Sequence, residues 1–510
     1  MLKIKNAVFD HTISNLKLNA SDVLKLYALL KHDNTRNIAE STAKTLNVTK
    51  KIADAMISYY RVFQEAGEVD VKRYCIYLIT QTYRRPVSRL SSEKIRDSFP
   101  FTERGDPRTP SSKKKKKSRY SSPQPSPPSP RCNVLKLRSD DANARNQFFR
   151  KCLPRILKVL ASDGDRVDRE DVDRLSLVLQ GTSSSSSKPL SSLCEEEWQS
   201  ESKLGEDTMT VVDLRRWIER SLVVNDEVSQ DAIVVSHESG GPTIVVKPEE
   251  NEKGPPRDLL IQNCTNVRIH IPCNVRFASL VGCNRCTVFI GAVSKICSVE
   301  HCEHVDITVA TRTLRVLNTV HSTLYSFCTT RPLLLGDCRS IRLAPHNLIR
   351  SDLCKDFVRS ANLRDEDENF WDSALDCTNM SSHYSHPPLS PSSPTTSKAS
   401  AFSELSCSDF VTFALRIDLM KEKKIDSKHA SSKSKKHHHQ TLFRLPRKYA
   451  SALKERRSRV AEVRRLIESA ELSRDQQQDV QDAIVSRFEK WLLKSSKQSV
   501  SLLNTSGLTQ

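Results

Sequence analysis

The sequence predicts a multidomain α plus β protein, with a central β-solenoid flanked by helical N- and C-terminal regions and disordered linkers. Three observations carry this. Apolar residues recur at helical spacing toward both ends of the chain. Between residues 257 and 350 that period gives way to short apolar alternations repeating every 17 to 19 residues. The intervening tracts are crowded with Pro, Ser and charge, which cannot bury enough apolar surface to fold.

The totals agree. A chain of 510 residues with 37% hydrophobic and 28% charged residues fits two or three folded pieces on long connections. No run of 18 apolar residues occurs, so no transmembrane segment is expected. The opening "MLKIKNAVFDHTISN" has neither a long apolar core nor a small-residue cleavage site, so a cytoplasmic protein is expected. Eight of the 15 cysteines lie between Cys264 and Cys338, and they are read as reduced, buried small residues rather than a disulfide scaffold.

The net charge of +19 would fit a nucleic-acid or acidic partner. Much of it lies in "KKKKKSRY" (Lys113 to Tyr120) and "SKSKKHHHQ" (Ser432 to Gln440), without the aromatic–basic interleaving that stacks bases. No nucleic-acid partner is therefore expected. The Lys113–Lys117 run is read as a solvated linker; an import signal or a patch for acidic surfaces is the alternative.

Residues 16–100 form the first helical region. "SDVLKLYALLKH" starts at the capping residue Ser21 and sets Val23, Leu24, Tyr27 and Leu30 on one face. "KKIADAMISYYRVFQEAG" repeats the pattern through Ile52, Met56, Tyr59, Tyr60 and Phe63, and "VKRYCIYLITQTYRR" follows as an apolar helix or a buried strand. Residues 101–139 are a basic Pro/Ser linker. Residues 140–227 are helical again, interrupted by the Ser-rich "GTSSSSSKPLSS". The polar "SDGDRVDRED" lacks the ligand spacing and glycine of a calcium loop and is read as an inter-helix loop.

The solenoid is read from a repeating column. Cys264, Cys283, Cys302, Thr319 and Cys338 occupy one rung position. Three residues earlier stand Ile261, Leu280, Val299, Val316 and Leu335; five later stand Ile269, Val288, Ile307, Leu324 and Leu343. Each rung cannot bury its inward face alone, whereas stacked rungs share a continuous core. The small cysteines suit tight inward corners. Cys283, Cys286, Cys297, Cys302 and His301 also raise a zinc reading, but no second CxxC accompanies them and the repeat accounts for Cys283 and Cys302. No metal or cofactor is assigned.

Beyond the rungs, "DEDENFWDSALD" (365–376) brings two aromatics suited to anchoring on a folded surface. Residues 378–406 are expected to be a linker and 407–420 an edge strand. Residues 441–497 are expected to be a helical hairpin, with Tyr449, Leu453, Val460, Val463 and Ile467 on the first helix. A capping box of Ser473 and Gln476 starts the second, with Leu472 as a staple and Val480, Ile484, Phe488, Trp491 and Leu492 on its face.

"FIGAV" (289–293) and "TTRPLLLGDCRSIRLAPHN" (329–347), with "NFWD" and "LSRDQQQDVQDAIVSRFEKWLL", resemble the tubulin-binding cofactor C (TBCC, C-CAP) domain family. The resemblance covers about residues 257–377 and 441–495 and implies a right-handed parallel β-helix. In its GTPase-activating members a C-Q-x-[FL]-R motif supplies an arginine finger, an effect of about 10³ to 10⁵ in rate. That motif falls on "TRTLR": Thr311 stands for the Cys, Arg312 for the Gln, and Arg315 at the finger position. Strand alternation would aim Arg315 outward between the inward Leu314 and Val316, where a partner would meet it.

What the resemblance implies is a non-enzymatic cytoskeletal adaptor of the centrosome, spindle pole or basal body. Its expected roles are centrosome and Golgi positioning and cell shape, with centrosomal or microtubule-associated partners. The alternative is a GTPase activator for tubulin or an Arf-like GTPase, using Arg315.

Overall fold

A computed structural model describes residues 1–13, 16, 18–32, 37–64, 67–84, 130–161, 165–182, 188–195, 208–224, 232–246, 256–378, 400–415, 440–470, 473–476 and 478–487. The Lys113–Lys117 run, the His437–His439 tract, Leu472, Phe488, Trp491 and Leu492 lie outside them. The described chain divides into two units, one of residues 1–405 and 412–444, the other of residues 406–411 and 445–510.

The two helical stretches before the solenoid, expected as separate regions, share one apolar core. Strand Leu2–Ile4 pairs antiparallel with Leu179–Gly181, so the first residues of the chain are stitched to the second stretch. Helix Lys50–Arg61 buries Ile52, Met56, Tyr59 and Tyr60, and its start is capped by the Thr49 hydroxyl. "VKRYCIYLIT" is a helix, Val71–Thr80, capped by Asp70 and buried from Tyr74 onward. An ion cluster then ties it down: Lys72 Nζ lies 2.7 Å from the buried Asp171, and Arg174 Nε lies 2.7 Å from Asp70.

Local details depart from the sequence reading in three places. The cap of helix Ala20–His32 is Asn19, whose side chain accepts from Ser21 N at 3.0 Å. Helix Pro130–Leu160 begins inside the expected linker, with a proline at its first position, where the missing N–H costs no bond. In "SDGDRVDRED", Arg166–Asp168 is a short strand paired with Thr208–Thr210, and Asp168 caps the following helix.

From Ile233 the chain coils as a parallel β-solenoid. One strand column stacks Ile233–Ser236, Leu259–Gln262, Ala278–Val281, the end of Thr287–Glu300, the end of Asp306–Leu317, Leu333–Leu335 and Leu375–Cys377. The other stacks Ile244–Val245, Arg268–Val275, the starts of the two long strands, Thr323–Cys328, Ile341–Pro345 and Phe402–Glu404. The coil thus starts before residue 257, and Phe402–Glu404 extends it from within the expected linker. The early strands escaped the repeat because Val234 is exposed and Glu238 stands where later coils carry cysteine.

Ile269, Val288, Ile307, Leu324 and Leu343 stack in the register read from the sequence. The companion column slips at its last step: Val316 pairs with Leu334, not Leu335. The cause is one extra corner residue. Earlier corners run from one left-handed residue to the next in four, as Asn263–Asn266, Gly282–Arg285, His301–His304 and Asn318–His321; the last runs Gly336–Ser340. Asn and Gly tolerate that conformation best, and His is enriched there among the rest.

Helix Asp352–Ser360 packs on the second column through Phe357 and Val358 against Phe289, Ala292, Ala310 and Phe327. Gly291 of "FIGAV" permits this: a Cβ there would sit 2.7 Å from Phe357 Cδ2 and 2.8 Å from the Cys273 carbonyl oxygen. "NFWD" anchors on the coil as read. Asn369 Oδ1 accepts from Cys328 N at 2.9 Å, Phe370 N donates to Cys328 O, and Trp371 is buried. Residues 409–415 form no strand; Phe413 makes a single bridge to Leu348.

In the second unit, helix Arg447–Ser469 buries Tyr449 and Leu453. Tyr449 meets Phe410 edge-on at 4.9 Å, and Arg456 donates to the Phe410 and Ser408 carbonyls. Residues 474–476 and 478–487 are helical, and Ser473 and Gln476 make the reciprocal capping box. Val460, Val463, Ile467 and Ile484 are exposed.

Candidate functional site

The rung residues lie where the coil turns inward. Cys264, Cys283, Cys302, Thr319 and Cys338 are all buried, and each offers its S–H or O–H to the backbone carbonyl two or three residues before it. Cys286 lies beside this ladder and donates to the Cys264 carbonyl. Among the described residues no group of three or more His, Cys, Asp or Glu is arranged to hold a metal ion.

Arg315 sits on the first strand column, between Leu314 and Val316, both fully buried. Its side chain leaves the coil interior, as alternation requires. It does not reach solvent: only 3% of the residue is exposed. The expectation of an arginine open to a partner is corrected here, and the reason is the helical layer. Helix Lys50–Arg61, helix Val71–Thr80 and the segment around Ile13 share one core with Phe277, Ile296, Leu333, Leu335 and Leu375 of this solenoid face.

The arginine is bonded on both sides of that seam. Its Nε donates to the Thr12 carbonyl at 2.9 Å, and Nη1 donates to Glu300 Oε1 at 2.5 Å and toward Ser298 Oγ at 3.5 Å. The strand register explains the pair. Ser298 lies directly opposite Arg315 on the neighbouring strand, and Glu300 is two residues on, hence on the same face. Burial opposes the charge on Arg315, but Glu300, together with Tyr59 and Tyr77, more than offsets it, and the guanidinium pKa is raised.

Neighbours complete the seam. His11 Nδ1 hydrogen-bonds Ser298 Oγ at 2.7 Å, and its ring stacks on Phe277 at 5.0 Å. Burial lowers the His11 pKa to about 4, so it is neutral at pH 7. Lys295 Nζ donates to the Val62 carbonyl at 2.6 Å, and Phe63 stacks on Phe277. Arg312 stays half-buried, and its carbonyl accepts from Thr330 N and from the Thr329 and Thr330 hydroxyls. Thr311 is fully buried, with its hydroxyl on the Thr313 carbonyl.

Sequence reasoning therefore found Arg315 and missed what it touches. Glu300 carried a usable signal, as a carboxylate on the strand face that Arg315 shares one coil later. Thr12 contributes only a backbone carbonyl, which no side-chain pattern reveals. Chemically, the constellation is an ion pair plus a main-chain acceptor holding two layers together. It leaves the guanidinium without an open approach to a phosphoryl group.

Comparison with known proteins bears on the same segment. Residues 256–377 match the family model of Tubulin binding cofactor C. The TBCC domain-containing protein 1 of Gallus gallus is 24% identical over 242 residues, covering 46% of this chain and 38% of the relative. Its Xenopus tropicalis counterpart is 21% identical over 238 residues, covering 47% and 38%. The Tubulin-specific chaperone C of Mus musculus is 29% identical over 120 residues, covering 24% and 34%. The chain thus spans under two-fifths of the length of these curated relatives. The family match falls on the first of the two stretches that carried the resemblance, residues 257–377.

Proposed function

We propose that this chain is a non-enzymatic, tubulin-related binding protein whose solenoid and helical layer act as one rigid adaptor. The single observation that carries the reading is the burial of Arg315. The residue at the finger position is bonded to Glu300 and Thr12 inside the molecule, so it works as a clamp rather than a catalytic group. The match to Tubulin binding cofactor C supports the tubulin-related part. Within this proposal the adaptor works at the centrosome, spindle pole or basal body and helps position the centrosome and Golgi and shape the cell, as the resemblance of the sequence to its family implies.

The test is single-turnover GTP hydrolysis by tubulin and by Arf-like GTPases with the purified full chain, alongside co-elution with tubulin dimers. The reading expects co-elution without faster hydrolysis. Hydrolysis accelerated by the chain, and lost with Arg315→Lys, would replace the adaptor with a GTPase activator. A fluorescent fusion absent from microtubule-organising centres would remove the centrosomal part.

A further inference from the structure

A groove of about 1080 Å³ runs along the second corner of the last three coils, away from the arginine clamp. Its walls are His304, His321, Arg339, Ser340 and Arg342, closed on the far side by Thr378 and Ser400–Ser403. The left-handed corner residues His304, His321 and Ser340 occupy the same position in successive coils, with Arg285 at that position one coil before the groove. Stacking of coils therefore turns one sequence position into a line of side chains. The imidazoles of His304 and His321 lie parallel, 5.2 Å apart and 13° from coplanar.

Cations and carboxylates both line the groove, and they are not all paired with each other. Arg342 has no carboxylate partner among the described residues, and the exposed Arg285 flanks the stack one coil earlier. Arg339 is held by Asp337 in a two-point pair, Nε to Oδ1 at 2.7 Å and Nη2 to Oδ2 at 2.5 Å. Glu303 lies 3.6 Å from His304, and Asp306 stands outward on the adjoining strand. Burial lowers the His304 pKa, and His321, Arg285 and Arg342 add to this against the opposing pull of Glu303. The hydroxyls of Ser340, Ser400, Ser403 and Thr378 add hydrogen-bonding capacity to the rim.

We propose that this groove binds an acidic peptide segment of a partner protein, its carboxylates paired with Arg342 and with the His304–His321 stack. A guanidinium without a carboxylate matches a carboxylate by two parallel N–H···O bonds. At about 1080 Å³ the groove lies at the top of the ~300–1,000 Å³ range of small-ligand pockets, room enough for an extended chain segment. Phe402 is its one Phe, Tyr or Trp among the described residues, and the two imidazoles stack on each other, so it lacks the row of platforms that holds single-stranded nucleic acid. The chain's own connection between Thr378 and Ser400 contains no Asp or Glu, so the complementary charge comes from elsewhere.

The test is fluorescence anisotropy of a labelled deca-glutamate peptide with the full chain. Lys113 to Lys117, Lys433, Lys435 and Lys436 are each changed to Ser beforehand, so that these runs do not mask the groove. Arg342→Glu is expected to weaken binding roughly ten- to a hundred-fold, the scale of one lost charge-assisted contact. Affinity should also rise from pH 8 to pH 6, because a bound carboxylate favours the proton on His304 while glutamates stay ionised. His304→Gln with His321→Gln should remove that pH response while leaving the melting temperature near its original value. Unchanged affinity in Arg342→Glu and in the double variant would overturn the proposal. Equal, equally sensitive binding of a labelled oligonucleotide would overturn the choice of peptide.

Discussion

Arg315 and Glu300 project from adjacent strands onto the same solenoid face and meet at 2.5 Å beneath the helical layer. Both are nearly solvent-free, at 3% and 8% exposure. A buried pair of this kind adds little stability over apolar residues of similar size, yet losing one member leaves a bare charge in the interior. Its consequence is specificity of docking: only one seating of the helices brings the Thr12 carbonyl onto Arg315 Nε.

Removing the arginine should therefore be costly, and removing both charges should not. Arg315→Ala strands Glu300 and is expected to destabilise the chain by about 3–5 kcal/mol. Arg315→Met combined with Glu300→Leu should come within ~1–2 kcal/mol of the parent. Urea midpoints by circular dichroism measure both.

Acid should loosen the same seam through His11. Its folded pKa of about 4 lies below the 6.5 of the free side chain, so the unfolded state binds the extra proton. This contribution is complete above pH 6.5, falls as pH drops toward 4, and is constant below that. The total is on the order of 3 kcal/mol. His11→Asn should flatten the decline between pH 6.5 and 4 when unfolding free energy is plotted against pH.

Gly291 should tolerate no side chain. A methyl group would press on Phe357 and, more stubbornly, on the Cys273 carbonyl. Gly291→Ala is expected to lose about 1–3 kcal/mol, the usual cost of overpacking. Phe357→Leu should restore only part of it, because the backbone oxygen remains. Thermal unfolding of the single and double variants reads this directly.

The cysteine ladder should be chemically quiet. Of the described cysteines only Cys273 and Cys407 are half-buried. What protects the corner thiols is burial that keeps reagent out, even though hydrogen bonding to Cys283 lowers the pKa of Cys264, and that of the adjacent Cys286 to about 7. Iodoacetamide at pH 7.5 should spare the corner cysteines in the native chain and modify them after denaturation, as counted by peptide mass spectrometry.

How much of this was legible in the sequence depends on distance along the chain. The stacking of Ile269, Val288, Ile307, Leu324 and Leu343 follows from a local period, and the structure reproduces it residue for residue. The slip at Leu334 did not, because one added corner residue between Leu335 and Ser340 leaves the cysteine spacing at 19 and hides the offset. The first coil, Ile233 to Val245, lacks both the cysteine and a fully buried column, so its pattern is faint.

The site was half legible. Alternation placed Arg315 on the outer face, which is where it stands, but alternation says nothing about what covers that face. The cover begins 303 residues earlier, at Thr12, and acts through a carbonyl that every residue possesses. Burial between layers is a long-range property, and a strand pattern alone reads only the coil beneath it.

The central claim is that Arg315 is an internal clamp, and a double-mutant cycle between Arg315 and Glu300 tests it most directly. Unfolding free energies of the parent, Arg315→Met, Glu300→Gln and the combined variant give the coupling between the two side chains. The structure predicts a coupling of at least about 1 kcal/mol, in the range of residues sharing a buried ion pair. A coupling indistinguishable from zero, with each single change costing less than about 0.5 kcal/mol as surface substitutions do, would contradict the clamp and return Arg315 to the solvent.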